Sequence, residues 1–147
     1  MAAVQTAYAS RMSALTLGMI VNQELWNAVS LINEDETAIG FATAVFIGAA
    51  DDTVTATPTA GAFEGITFRD TLVDGATVDT FAEGDTMPVL KKGVVAVQAS
   101  KAVSKGDPVY VTDAGAFTDV STDNTALPNA TFDGTTTAAG LVPLRLV

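Results

Sequence analysis

The stretch Gly93–Phe117, GVVAVQASKAVSKGDPVYVTDAGAF, is apolar alternation broken by Gly and Pro, a pattern that suits strands and leaves little room for helix. Side chains alternate along a strand, so Val95, Val97 and Ala99 share one face and Val94, Ala96 and Gln98 the other. Both faces are largely apolar. Such a strand is expected to be covered on both sides, as in a sandwich or a closed barrel. Ser104, Lys105, Gly106 and Asp107 supply turn chemistry, and Pro108 fixes φ where the next strand begins. The chain is expected to reverse here into Pro108–Thr112 and to turn again at Asp113–Gly115 into Phe117–Val120, forming a β-meander.

Similar signals recur along the chain. Leu25, Trp26, Val29 and Ile32 fit a helical stripe, yet Trp26, Ala28, Ser30 and Ile32 also fit a strand face with Val29 and Leu31 behind; strand is the preferred reading. Asn33–Thr37 (NEDET) is an acidic turn, and Ala38–Ile47 returns as an apolar strand. Thr53–Thr57, Phe63–Phe68, Thr77–Phe81, Thr86–Leu90 and Ala139–Val147, the last interrupted by Pro143, complete the set. Recurrent short strands between turn signals predict an all-β fold, a compact β-barrel or β-sandwich of jelly-roll-like character. The expected division is an extended N-terminal arm over residues 1–21 and a single β domain over residues 22–147. Apolar Leu17, Met19 and Ile20 lie beside an irregular terminus, and a segment that cannot bury its side chains internally often does so on a partner.

A chain of 147 residues can bury a real core, although its many Ala and Thr make a shallow one. The formal charge of −10, from 17 acidic against 7 basic residues, repels nucleic-acid phosphates and anionic membrane surfaces. Neither is an expected partner. The apolar run Leu15–Val21 lacks a small-residue cleavage site after it, and Ile39–Ala50 is too short for a membrane span.

Catalytic chemistry finds few candidates. The sequence has no His and no Cys, which removes the usual general base near neutral pH, thiolate nucleophiles and imidazole or thiolate metal sites. Ser100, Lys101, Ser104 and Lys105 could form a serine–lysine dyad only if a lysine were buried, and these residues bracket a turn. Asp51 with Asp52, and Glu34 with Asp35 and Glu36, are carboxylate pairs in turn-like clusters with nothing to raise a pKa. Asp113, Asp119, Asp123, Asn124 and Asp133 are oxygen donors on consecutive loops, but none falls in the EF-hand spacing. The Asn129–Thr131 sequon and the Lys105–Asp107 tripeptide are explained by chance and by the turn. No enzyme activity, cofactor or metal is expected. The basic residues are more informative: Lys91, Lys92, Lys101 and Lys105, four of the seven, fall in or just before the opening stretch. They either protect a strand edge or dock on an acidic partner surface.

The block Gly93–Val111 resembles the structural cement, or head-decoration, proteins of tailed bacteriophages. Leu17–Val21 (LGMIV), Ile39–Ile47 (IGFATAVFI), Ala130–Gly134 (ATFDG) and the closing Gly140–Leu146 (GLVPLRL) are similar to that family in the same order, whereas Asp51–Asp85 matches none of its patterns. The resemblance implies a compact β domain on the outer face of a phage head, made in the host bacterial cytoplasm. There it would bridge neighbouring copies of the major capsid protein, usually as a small oligomer, a dimer or trimer. A carbohydrate- or receptor-binding β module of a virion is the alternative, with Trp26, Tyr8 and Tyr110 as its available aromatic residues.

Overall fold

The computed structural model describes residues 15–60, 62–70 and 79–147. Among them the chain forms β1 (Asn27–Asn33), β2 (Ile39–Gly40), β3 (Ala44–Ile47), β4 (Thr53–Thr55), β5 (Phe63–Thr67), β6 (Thr80–Phe81), β7 (Thr86–Ala99), β8 (Pro108–Val111), β9 (Phe117–Thr118), β10 (Thr125–Phe132) and β11 (Gly140–Leu146). No helix occurs among the described residues. The all-β expectation holds, and the closed form is the one adopted.

β7, at 14 residues, organises everything else. Its first half pairs with β1 and β5, and with β3 and β4 these strands close into a five-stranded ring. Its second half pairs with β11 and, at Ala99, with β9; β10 and β8 complete a second closed ring. The hand-over is sharp. Lys92 is the last residue in register with β1, opposite Asn27, and Gly93 is the first in register with β11, opposite Leu146. Gly93 has φ 125°, a value that residues with a Cβ rarely adopt, so glycine allows the strand to bend from one ring into the other without ending.

Alternation sends the apolar residues inward. Val95, Val97 and Ala99 of β7 meet Val142 and Leu144 of β11, Phe132 of β10, Val109 and Val111 of β8 and Phe117 of β9 in one continuous cluster. The same cluster runs on to Phe46, Ile66 and Leu90 of the first ring. A second cluster gathers Val45, Val54, Met87 and Val89 with Ile39, Phe41 and Phe81, the last three around the small β2–β6 pair. Phe46, Phe81, Phe117 and Phe132 are fully buried, each contributing about 1.5–3 kcal/mol. The expected double coverage of β7 is also present, since Val94 and Ala96 are buried while Gln98 is exposed.

The few buried polar side chains are bonded, as their desolvation requires. Asn33 donates from Nδ2 to the Phe81 and Thr37 carbonyls and accepts the Asp35 N–H at Oδ1, fastening the end of β1 to β6 and to the acidic turn. Thr67 Oγ1 donates to the Gly40 carbonyl at 2.8 Å and accepts the Thr43 N–H at 3.0 Å. These bonds hold the turn in which Ala42 has φ 53°.

Several strand assignments differ from the sequence reading. The expected strand Ala38–Ile47 is two strands, because that turn interrupts it. The runs Thr86–Leu90 and Val94–Ala99 are one strand. The expected Thr77–Phe81 strand survives as Thr80–Phe81, residues 77 and 78 lying outside the described residues. The first reversal of the meander does not form as a hairpin: β8 pairs with β9 and β10 and not with β7. The connection Ser100–Asp107 crosses the ring instead, pinned by buried Val103 in a bridge to Thr136. The second reversal, β8 to β9, is the expected antiparallel turn. β10 has no counterpart among the strands expected from the sequence: Pro128 and Asn129 break its alternation, Asn129 has φ 64°, and the register shifts between Ala126 and Thr131. Pro143 does not interrupt β11. Its neighbour across the ladder, Ala96, directs its own N–H and C=O to residues 19 and 18, so no N–H is needed from Pro143.

Candidate functional site

The catalytic candidates are dispersed. Lys101 lies 3.0 Å from Asp119 Oδ1, and Lys105 lies 3.5 Å from Asp133, so both lysines are ion-paired beside an exposed turn. Asp133 also faces Arg145, which in turn reaches Glu24 at 3.3 Å. These pairs occupy Asp119 and Asp133 from the oxygen-donor set, and among the described residues no three acidic side chains converge on a point where they could hold a metal ion.

The acidic run after β1 serves the fold. Glu34 Oε2 accepts the Thr53 hydroxyl and the Ala49 N–H, each at 2.7 Å, and Asp35 accepts the Ala56 N–H at 2.8 Å. The Thr53 hydroxyl, followed by the Ala49 amide, holds the Glu34 carboxyl below the ordinary glutamate range. A general acid would need the opposite shift.

Among the described residues, two open clefts are formed. One, of about 460 Å³, is lined by Asp35, Glu36, Thr43, Thr57 and Asp113 with neighbouring small residues. The other, of about 300 Å³, is apolar and lies between Leu17, Phe41, Ala99 and Phe117. Neither brings a nucleophile to a base.

The residues nominated for partner binding fall into separate places. Gly18 donates to the Ala96 carbonyl, Met19 accepts the Ala96 N–H, and Val21 donates to the Val94 carbonyl, so residues 18–21 lie along β7. Leu17 and Ile20 pack against the larger core cluster, and Met19 is partly exposed. The lysines do not form one patch. Lys91 and Lys92 precede Gly93, whereas Lys101 and Lys105 follow Ala99, and about 20 Å of strand separates the two pairs. Lys91 is bound to Glu64. Lys92 is exposed, and it alone of the four has no carboxylate partner among the described residues.

Near Lys92 the surface turns apolar. Leu25 is 77% and Trp26 48% exposed, on the segment that leads into β1, and Val29 follows at 38%. Trp26 is held in place by edge-on contact with Phe68, centroids 5.9 Å apart, and by Gly93 beneath it. Large apolar side chains presented on a fixed backbone are a common form of interaction surface. In the sequence alone Trp26 stands between core and platform, and nothing singles out Leu25. The available signal is the face Trp26, Ala28, Ser30, whose small residues offer little to a core. Tyr110 is half-buried and Tyr8 lies outside the described residues, so a run of exposed aromatic rings does not form among the described ones.

Comparison with known proteins adds what geometry alone does not. The family model described as structural cement protein (E217 gp24/Pam3 gp6) matches residues 4–147. Among solved structures, a chain from the capsid of Myoviridae phage XM1 has a similar fold, with TM-score 0.71 and 20% identity over 95% of this chain and 94% of that one. The head fibre gp8.5 N base of bacteriophage phi29 aligns at TM-score 0.47 and 14% identity, over 84% and 95% of the two chains. No curated protein sequence matches.

Proposed function

Because the chain belongs to the structural cement protein family of phages, it is a virion protein that decorates and stabilises a capsid, and we propose that it does so from the outer face of the head. There it bridges neighbouring copies of the major capsid protein, after synthesis in the host bacterial cytoplasm. It works by binding rather than turnover, and self-associates as a small oligomer. Nucleic acid and anionic membranes are not among its partners, given the charge of −10.

One observation carries the docking part of this reading: Leu25 and Trp26 project into solvent beside Lys92, a lysine with no carboxylate partner among the described residues of an acidic chain. Apolar side chains supply burial, and the free ammonium steers the approach to an acidic capsid surface. Lys91, Lys101 and Lys105 can join only by exchanging the carboxylates they hold. Leu17, Met19 and Ile20 anchor the root of the N-terminal segment on β7, and the part of the expected arm before residue 15, which lies outside the described residues, is proposed to take part in capsid binding. Cryo-electron microscopy of the source particle tests the reading. Density for this chain between capsid subunits on the outer lattice is expected, and its absence from that surface would overturn the assignment.

A further inference from the structure

β1 is paired on one side along its whole length and on the other only at its end. β7 runs beside it from Asn27 to Ile32, whereas β4 joins only at Ile32 and Asn33. The directions of the backbone groups follow from two bonds. Asn33 donates to Asp85 on the β7 side, and Ile32 donates to Asp52 on the β4 side. Alternation then turns the N–H and C=O groups of Ala28 and Ser30 away from β7, towards the side that β4 has not reached. Pro88, opposite Ser30, agrees with this, since a residue without N–H suits a position where the two strands exchange no bond. Among the described residues nothing bonds these outward groups. Asn27, Val29 and Ser30 are exposed.

An open edge of this kind is normally guarded by charge or proline. Here Leu25–Ile32, LWNAVSLI, contains neither, in a chain with 17 acidic residues. Two copies of a protein of charge −10 repel each other over most of their surface, and this charge-free edge is a place where they can meet. The geometry points to the edge of β1 pairing antiparallel with β1 of a second copy across a two-fold axis at Val29. Ala28 of each copy then exchanges bonds with Ser30 of the other, Val29 faces Val29, and no charge lies opposite a like charge. The ladder stops at Asn27 opposite Leu31, because from Ile32 onward the edge belongs to β4. An isologous contact of this kind makes a closed dimer, not a filament.

The inference rests on the self-association proposed above and is tested without capsids. Sedimentation of the parent protein is expected to give twice the 15.0 kDa chain mass, falling towards the monomer over about a hundredfold dilution. Val29→Lys, which sets like charges across the axis, and Ser30→Pro, which removes an outward N–H, are each expected to weaken the dimer by about tenfold or more, with unchanged circular dichroism. Hydrogen exchange reads the edge directly in the parent: the Ala28 and Ser30 amides should be protected in the dimer and exchange fast on dilution. A dimer in which both amides exchange freely, or one that both folded variants retain, overturns the β1 edge as its interface. A parent that is monomeric throughout overturns self-association as well, leaving the capsid assignment to its own experiment.

Discussion

Gly93 lies so close beneath Trp26 that a Cβ added to it would sit 2.6 Å from the Trp26 Cβ, and its φ of 125° is strained for any residue with a side chain. The two effects coincide where β7 leaves one ring for the other. Gly93→Ala should therefore lower stability by about 3 kcal/mol, adding backbone strain to steric overlap. Gly84, at φ 80° with open space for 4 Å around an added Cβ, isolates the strain alone, and Gly84→Ala should cost about 1 kcal/mol. Chemical denaturation of both variants checks the difference; equal losses would remove the packing contribution.

Glu34 supplies a pH dependence with a definite sign. Its carboxyl is held below the ordinary range by the Thr53 hydroxyl and the Ala49 amide, so the folded state favours the ionised form. That stabilisation is complete above the ordinary glutamate value and is lost as pH falls through the lowered one. The turn between Gly48 and Thr53 should loosen in acid. Thr53→Ala should move the Glu34 titration up towards the ordinary value, as followed by NMR; an unmoved midpoint would assign the shift elsewhere.

Lys92 and Lys91 should separate in capsid-binding kinetics. Replacing exposed Lys92 with Gln removes a charge with no described partner, so association with shells lacking the protein should slow and its salt dependence flatten. Lys91→Gln should do less, because Glu64 already neutralises that lysine. Identical association rates for Lys92→Gln and parent at low salt would end the docking role of Lys92.

Truncations at two points should give different results. Removing residues 1–12 should weaken capsid occupancy and leave thermal stability near that of the parent. Extending the cut through Val21 also removes the bonds to Ala96 and Val94 and the packing of Leu17 and Ile20, so the melting temperature should fall by several degrees. Equal occupancy by parent and shorter truncation would exclude a docking function for the first residues.

The parts of the fold visible in sequence are those governed by alternation. Val94–Ala99, Phe63–Thr67 and the closing run behave as their side-chain pattern requires, because one or both faces must be buried. Pairing is less legible. Nothing in Ser104–Pro108 distinguishes a hairpin from a crossing connection, since the same turn residues serve both, and the outcome is decided by Val103 and Thr136, 33 residues apart. β10 escapes because Pro128 and Asn129 carry the local signature of a turn while sitting at a bulge. At the candidate site, the lysine count is plain in the sequence, but its meaning depends on Glu64, Asp119 and Asp133, which no spacing brings near. Leu25 is invisible for the converse reason: exposure of an apolar residue is decided by what fails to cover it.

β7 belongs to two closed rings at once, and this has a mechanical consequence. Load applied to either ring passes to the other through a covalent backbone, not through a surface that can slide or peel. Shifting that strand by one residue would turn its side chains from one face to the other in both rings at once. Because the two rings share that backbone, strain entering one of them is carried by the other as well, and the described residues respond as one body.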